Sequence, residues 1–444
     1  MAEPGDPEDR PDGDDDALLR FLAQFGITPD ASGQMDLSRL MDRMQSMLAA
    51  FNTQLAGFGK SDADSGMNWG FTLDLTRRAI AQAGSDPQPD PATVARIRDA
   101  VALADLWLDD EIAFDRLSAP AAAWRRVDWV EQTFETWQAL VRPVISQLAN
   151  ALRALVGRPD AAAAEPMLRL AVAGMFAAQV SDTLGGAATT VVSGTDIGLP
   201  VTRSLVALLP TNVAAFSEGL AASSDDVLLY LAIRETARQR LFTAVGWLGP
   251  QLLALIEHYA REITIDQDGL ERAIESQLGQ AMTPRDLEAA GTAVAHSLFA
   301  PQRTPEQAEV LARLEILLAV VEGWVDEVVA RVAEPRMPSA AGLTETLRRR
   351  RASGGPAENA LKTLVGLELH PRRTRDAANL WAATRSARGA DGRDAVWAHP
   401  DLLPTARDLD DPLGFANAER GQAGPDEMDA ELARLLDEEG GASE

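Results

Sequence analysis

Leu228-Leu229-Tyr230-Leu231-Ala232-Ile233-Arg234-Glu235-Thr236-Ala237-Arg238-Gln239-Arg240-Leu241-Phe242 contains no glycine or proline. Leu228, Leu231, Ala232, Glu235, Arg238 and Phe242 recur at spacings of three and four, which predicts a helix that shows these residues on one face. Ser223-Ser224-Asp225-Asp226 just upstream offers N-cap side chains and places acids at the positive end of the helix dipole. The face is apolar at both ends and carries Arg-Glu-x-x-Arg in the middle. Burying such charges is costly unless they pair with each other, with a third group or with an ion.

The spacing matches H-E-x-x-H, in which two histidines one helical turn apart bind a metal and the glutamate activates water. Glu235 holds the glutamate position, and Arg234 and Arg238 hold the two histidine positions. A guanidinium stays protonated and has no free lone pair, so neither arginine can be a ligand.

Working outward, the chain has 444 residues, 46% of them hydrophobic and 24% charged, enough for a large core in one big domain or two. Abundant alanine favours helix throughout. A net charge of −26, with acids spread along the chain and concentrated at both ends, argues against a nucleic-acid role. The absence of cysteine removes disulfides, thiolate metal sites and a cysteine nucleophile. No apolar run has the length of a membrane span; Gly174–Val192 is interrupted by Gln179, Asp182 and several threonines. Met1–Asp16 is acidic, rich in Pro and Gly, and lacks the basic and apolar regions of a signal peptide. These features predict a cytoplasmic protein with no membrane partner and a disordered start.

Residues 17–64 are expected to form a helical extension. Its Leu37–Leu48 stretch carries a methionine-rich stripe suited to docking or core packing. Further helices are expected over Ala92–Phe114, Ala121–Val156 with a break near Pro143, and Pro166–Val180, with Trp107, Trp124, Trp129 and Trp137 as packing anchors. Between 184 and 222 the pattern changes. Gly185-Gly186 and Gly194 punctuate it, while Thr189-Thr-Val-Val and Leu205-Val-Ala-Leu-Leu read as strands, giving a small β element just before the motif helix. Such a strand either borders a cleft and pairs with an extended peptide or forms a buried connecting hairpin. A break is expected near Gly249-Pro250, followed by helix over Leu252–Ile263. Thr283-Pro284 and Thr304-Pro305 each open a helix. Glu322 lies within the apolar run Leu311–Val329, and a buried carboxylate there needs a partner.

Several blocks carry a resemblance to a known family. They are Ser193-Gly-Thr-Asp-Ile-Gly-Leu-Pro, Leu208-Leu-Pro-Thr-Asn-Val-Ala-Ala-Phe, Ile233-Arg-Glu-Thr-Ala-Arg-Gln-Arg-Leu-Phe, Val321-Glu-Gly-Trp-Val-Asp-Glu-Val-Val, Arg348-Arg-Arg-Arg-Ala-Ser-Gly-Gly-Pro-Ala-Glu and Gly392-Arg-Asp-Ala-Val-Trp-Ala-His-Pro-Asp-Leu-Leu-Pro-Thr. With Trp69 and Leu106-Trp-Leu-Asp, they resemble the bacterial zincin-like metallopeptidase family, also described as a hydrolase family and labelled zinc-dependent metalloprotease. The resemblance covers about residues 65–415. It implies a mainly α, zincin-like helical domain over 65–415, between the disordered 1–16, the extension 17–64 and an acidic tail at 416–444. It also implies a zinc site in which Glu235 is the catalytic base, Glu322 the third metal ligand, and positions 234 and 238 the histidine ligands.

With Arg234 and Arg238 at those positions, zinc binding and family-type hydrolysis are expected to be lost. The chain would then be a degenerate member without a cofactor that binds a peptide or protein partner in a vestigial cleft. The alternative is an active peptide hydrolase with Glu235 as general base and an unconventional or absent metal. The four histidines, His258, His296, His370 and His399, include no pair at ligand spacing. Glu235 and Glu322 facing each other without a metal would repel, and two guanidiniums could supply the missing positive charge through a salt-bridge network. The competing reading leaves Arg234 and Arg238 in solvent. Arg348–Arg351 followed by Gly354-Gly355-Pro356 could cradle an anion. It lacks a P-loop ending, and a basic cluster closing a helix is the commoner origin of such a run.

Overall fold

The structure is a computed structural model that describes residues 61–418 apart from 63–65, 157–164, 203, 264–303, 353 and 370–372. The expected helical extension at 17–64 apart from Ser61 and Asp62, the Thr283-Pro284 helix start, His296, His370 and, beyond 418, the acidic tail expected at 416–444 lie outside the described residues.

Among the described residues the chain forms thirteen α-helices and one two-stranded sheet, so the fold is mainly α. The order is α1 (Trp69–Gln82), α2 (Pro91–Leu108), β1 (Ala122–Ala123), α3 (Arg126–Val156), α4 (Glu165–Ala188), β2 (Ala207–Leu208), α5 (Pro210–Ser217) and α6 (Ser224–Ala244). Then come α7 (Leu248–Arg261), α8 (Pro305–Ala333), α9 (Ala340–Ala352), α10 (Pro356–Val365), α11 (Thr374–Asp394), α12 (Ala406–Asp410) and α13 (Pro412–Asn417). No described helix is long and apolar enough to cross a membrane.

The helix starts follow local chemistry. The Asp90 carboxylate accepts from Thr93 N at 2.6 Å ahead of Pro91. The Ser223 hydroxyl accepts from Asp226 N at 3.1 Å. Thr304 and Gln307 form a reciprocal capping box ahead of Pro305. Helix α6 runs through the middle of the fold. Every residue from Val227 to Leu241 except Leu229 is buried, so the one-faced helix expected from the spacing is in fact covered all round. The core beside it holds Trp129, Trp137, Trp324, Trp381 and Trp397, all fully buried. Of the four expected anchors, Trp129 and Trp137 belong to this core, while Trp107 and Trp124 are only partly buried against it.

Three expectations need correction. Helix α3 continues through Pro143, because a proline removes only one ladder bond and Leu140, Val141, Val144 and Ile145 around it are buried. Gly249-Pro250 falls inside the first turn of α7, where a missing N–H costs nothing. Gly185-Gly186 ends no helix: α4 runs on to Ala188, and a Cβ at Gly185 would stand 3.1 Å from Ala79 Cβ of α1. That glycine serves close helix packing.

Only one strand of the β element, β2, lies in the expected interval; Thr189–Val192, expected as its companion, forms turn and coil, and the pairing is different. β2 is parallel to β1, with Ala122 opposite Ala207 and Ala123 opposite Leu208. The segment of β1 had read as the start of a helix. On its other side Leu208 bridges antiparallel to Ser193, with Gly194 N donating to Ala207 O at 2.9 Å. Both edges of β2 are therefore taken, which removes the expectation that it pairs with an extended peptide and leaves the buried connector. The bridge also fixes the loop that follows Ser193 over the middle of α6.

Candidate active site and its arginine–carboxylate network

Glu235, at the start of the fourth turn of α6, is fully buried. Its Oε1 accepts from Thr195 N at 3.0 Å and from Gln239 Nε2 at 3.2 Å. Its Oε2 accepts from Ser193 Oγ at 2.7 Å, Thr195 Oγ1 at 2.8 Å and Arg238 Nη1 at 3.3 Å. Gly194 lets the loop lie flat on the carboxyl group, since a Cβ there would be 3.2 Å from Oε1. Burial pushes the Glu235 pKa above the ordinary carboxylate range, and Arg238 with the Ser193, Thr195 and Gln239 donors only partly offsets it.

Glu322 and Asp326 lie one turn apart on α8, which crosses α6 at the two arginines. Arg234 donates from Nη1 to Asp326 Oδ1 at 2.6 Å and from Nη2 to Glu322 Oε2 at 3.1 Å. Arg238 grips Glu322 with Nε on Oε1 at 2.9 Å and Nη2 on Oε2 at 3.1 Å, a bidentate fork. From α9, Arg351 reaches Asp326 Oδ1 at 2.9 Å and Glu322 Oε2 at 3.3 Å, and Arg348 reaches Asp326 Oδ2 at 3.5 Å. Burial works against both carboxylates, yet the guanidiniums outweigh it: Arg238, Arg351 and Arg234 hold Glu322 below its ordinary pKa. Arg234 and Arg351 hold Asp326 far below its own. Burial likewise opposes the Arg234 charge, and Asp326, with Tyr230 and Glu322, overrides it and raises the pKa.

Glu322 thus meets the Arg234–Glu235–Arg238 turn, and the arginines point inward, which overturns the competing reading that left them in solvent. Sequence reasoning missed Asp326 and the two capping side chains, Ser193 and Thr195. Asp326 had a signal: Glu322 and Asp326 repeat on α8 the four-residue spacing of Arg234 and Arg238 on α6. The basic cluster divides its work. Arg348 and Arg351 complete the network, Arg350 donates to Asp196 Oδ2 at 2.9 Å, and Arg349 pairs with Glu345 on the surface. It closes α9 instead of forming a free phosphate cradle. His258 ends α7, facing Glu306, and His399 Nδ1 accepts from Asp401 N at 3.3 Å in a short turn.

Above the network opens a cleft of about 70 Å³. Arg234, Arg238, Arg350, Arg351, Glu322 and Glu358 bring charge to its wall, and Ile197, Leu318, Leu347, Pro356 and Leu369 make much of the rest apolar. Glu235 is not part of the wall.

The chain matches the family described as zincin-like metallopeptidase over residues 67–416. It belongs to that family. A crystal structure of a proposed hydrolase with a novel fold from Chloroflexus aurantiacus shares the fold, with a TM-score of 0.55 and 19% sequence identity over 79% of this chain and 97% of the other. No curated protein matches. The family description implies zinc, but the donor set here does not fit it. A zinc site takes neutral imidazole, thiolate or carboxylate ligands. At this crossing the space between Glu235 and Glu322 is bridged by the Arg238 guanidinium, bonded to both carboxyl groups. A cation placed there would meet fixed positive charge.

Proposed function

We propose that this zincin-like chain is catalytically degenerate and works as a binding protein, holding a peptide or protein partner at the cleft beside Arg350, Arg351 and Glu358. The observation that carries the reading is the pair of guanidiniums at 234 and 238, each locked onto Glu322. They supply the positive charge that a metal supplies in a working zincin, and they keep the fold without it. A hydrolase using Glu235 as general base needs that carboxylate to reach a water. Five donors saturate Glu235 beneath the Ser193–Thr195 loop, away from the cleft.

The test is peptidase activity of the purified chain against a mixed peptide library, with and without a chelator. The expected result is no cleavage by the native chain, and one more zinc equivalent in the Arg234→His/Arg238→His double variant than in the native chain. Chelator-sensitive cleavage by the native chain, abolished by Glu235→Gln, would overturn the proposal.

A further inference from the structure

A different group of side chains combines one imidazole, the donor type that positions 234 and 238 lack, with two carboxylates. His258 and Glu262 lie one turn apart at the end of α7, and Glu306 lies in the first turn of α8. One ligand atom from each falls within 4.8 Å of the other two, with His258 Nε2 and Glu306 Oε1 3.3 Å apart. We propose that His258, Glu262 and Glu306 form a binding site for a divalent transition metal of the zinc class, independent of the buried network and of the function proposed above.

Three observations support it. The first is chemistry: one imidazole with two carboxylates is a donor set that favours zinc and its neighbours over magnesium or calcium, which take oxygen ligands alone. The second is rigidity of the frame. Next to His258, Tyr259 is buried and its carbonyl accepts from Gln307 Nε2 at 3.4 Å; next to Glu306, Gln307 is buried and also closes the capping box of α8. Glu262 N donates to His258 O at 3.2 Å, which ties the third donor to the same turn. The backbones of all three are thus fixed relative to one another. The three side chains are exposed or half-exposed, so their rotamers can close from 4.8 Å to the separations a metal at about 2.0–2.2 Å from each ligand requires.

The third observation is electrostatic. Glu262 is the C-cap of α7, where the helix presents its negative end, and a carboxylate there is disfavoured. A second carboxylate, Glu306, is brought up against it across the helix crossing. Arg261, the other base in the last turn of α7, is turned to Glu257. A divalent cation offsets both carboxylates and the helix terminus, and it would clamp the end of α7 to the start of α8. Glu306 by itself is explained as a first-turn acid and His258 as a last-turn base. Glu262 has no such explanation.

The experiment uses the full chain stripped with a chelator and titrated with Zn²⁺ alone in competition with a chromophoric chelator. We expect one equivalent bound, with His258→Ala and Glu306→Gln each weakening binding at least tenfold, about 1.4 kcal/mol. Both substitutions are at exposed positions, and unchanged circular dichroism without metal will show that they fold. A tenfold excess of Mg²⁺ is expected not to displace the zinc. No zinc uptake, or uptake unchanged in both variants, would overturn the site. Uptake lost in Glu322→Gln and kept in His258→Ala would overturn this site and the degenerate reading together. Uptake lost in His258→Ala and kept in Glu322→Gln supports the site and leaves the degenerate reading standing.

Discussion

Arg234 and Asp326, 92 residues apart in the chain, meet in a buried hydrogen bond of 2.6 Å where α6 crosses α8. Asp326 is also the meeting point of Arg351 and Arg348 from α9, so one carboxylate joins three helices.

Asp326→Asn should therefore be among the most damaging conservative changes in the chain. It keeps the shape and removes the charge that three guanidiniums face. Breaking a buried ion pair by neutralising one partner costs about 3–5 kcal/mol. Urea unfolding is expected to show a loss of this size, with Arg348→Met, which removes the longest contact, costing far less.

The network also sets the acid limb of stability. Asp326 and Glu322 are both held below their ordinary values of 3.8 and 4.5 in the folded chain. A depressed carboxylate contributes stability that is present above its unfolded pKa and is lost as pH falls through the folded one. Glu235 has the opposite sign: its raised pKa makes folding more favourable at low pH than above its folded value. Unfolding free energy measured from neutral pH downward should begin to fall near pH 4–5. Asp326→Asn should flatten that fall, and Glu235→Gln should steepen it. A slope unchanged by Asp326→Asn would show that the acid limb arises elsewhere.

Gly323 lies beside Glu322 and under α11, where an added Cβ would be 2.5 Å from Ala377 Cβ and 2.7 Å from Ala378 N. The obstacle is largely backbone and cannot swing aside. Gly323→Ala is expected to cost about 1–3 kcal/mol through overpacking, despite alanine's better helix propensity. Gly194→Ala should cost less, since its nearest neighbours, at 3.2 Å, are the ends of the Glu235 and Thr202 side chains. Thermal unfolding of the two variants ranks them directly.

In the Arg234→His/Arg238→His variant, Glu322 and Asp326 keep only Arg348 and Arg351 as cationic partners. The metal-free variant should melt below the native chain. Saturating Zn²⁺ should raise its midpoint more than it raises the native chain's, the excess coming from mass action at the remade pocket and reaching about 2.7 kcal/mol at a hundred times that pocket's dissociation constant. A variant whose midpoint zinc raises no more than the native chain's would show that the pocket does not take imidazole ligands in place of the guanidiniums.

Much of this could be read from the residues. The run from Leu228 to Phe242 showed a helix with charges at a buried spacing, and Glu322 stood out as a carboxylate set between Leu317-Leu-Ala-Val-Val and Gly-Trp-Val. Asp326 was harder to see, because it is followed by Glu327 and the pair reads as an ordinary polar edge. Glu327 in fact points the other way, to Arg393 Nη1 at 2.7 Å. The direction of each acid depends on which helix lies against it, which local periodicity does not encode. The partner of β2 was illegible for a similar reason: Ala122-Ala123 has no strand propensity, and only its register with Ala207-Leu208 makes it a strand. The loop from Ser193 reads as a turn, and that its hydroxyls close over Glu235 follows from the bridge to Leu208.

A helix enclosed on all sides has a kinetic meaning as well. The amides of α6 can exchange with solvent only when the surrounding helices come apart, so their opening free energy should approach that of the whole domain. The Arg234–Arg238 turn is then expected to be among the least mobile of the described residues. Under the proposed binding role, adaptation to a partner would fall to the rim, to Asp196 and Ile197 on one side and the Gly355–Glu358 turn on the other. If that role is right, natural variation that retunes the partner should collect in those short segments and leave the buried helix alone.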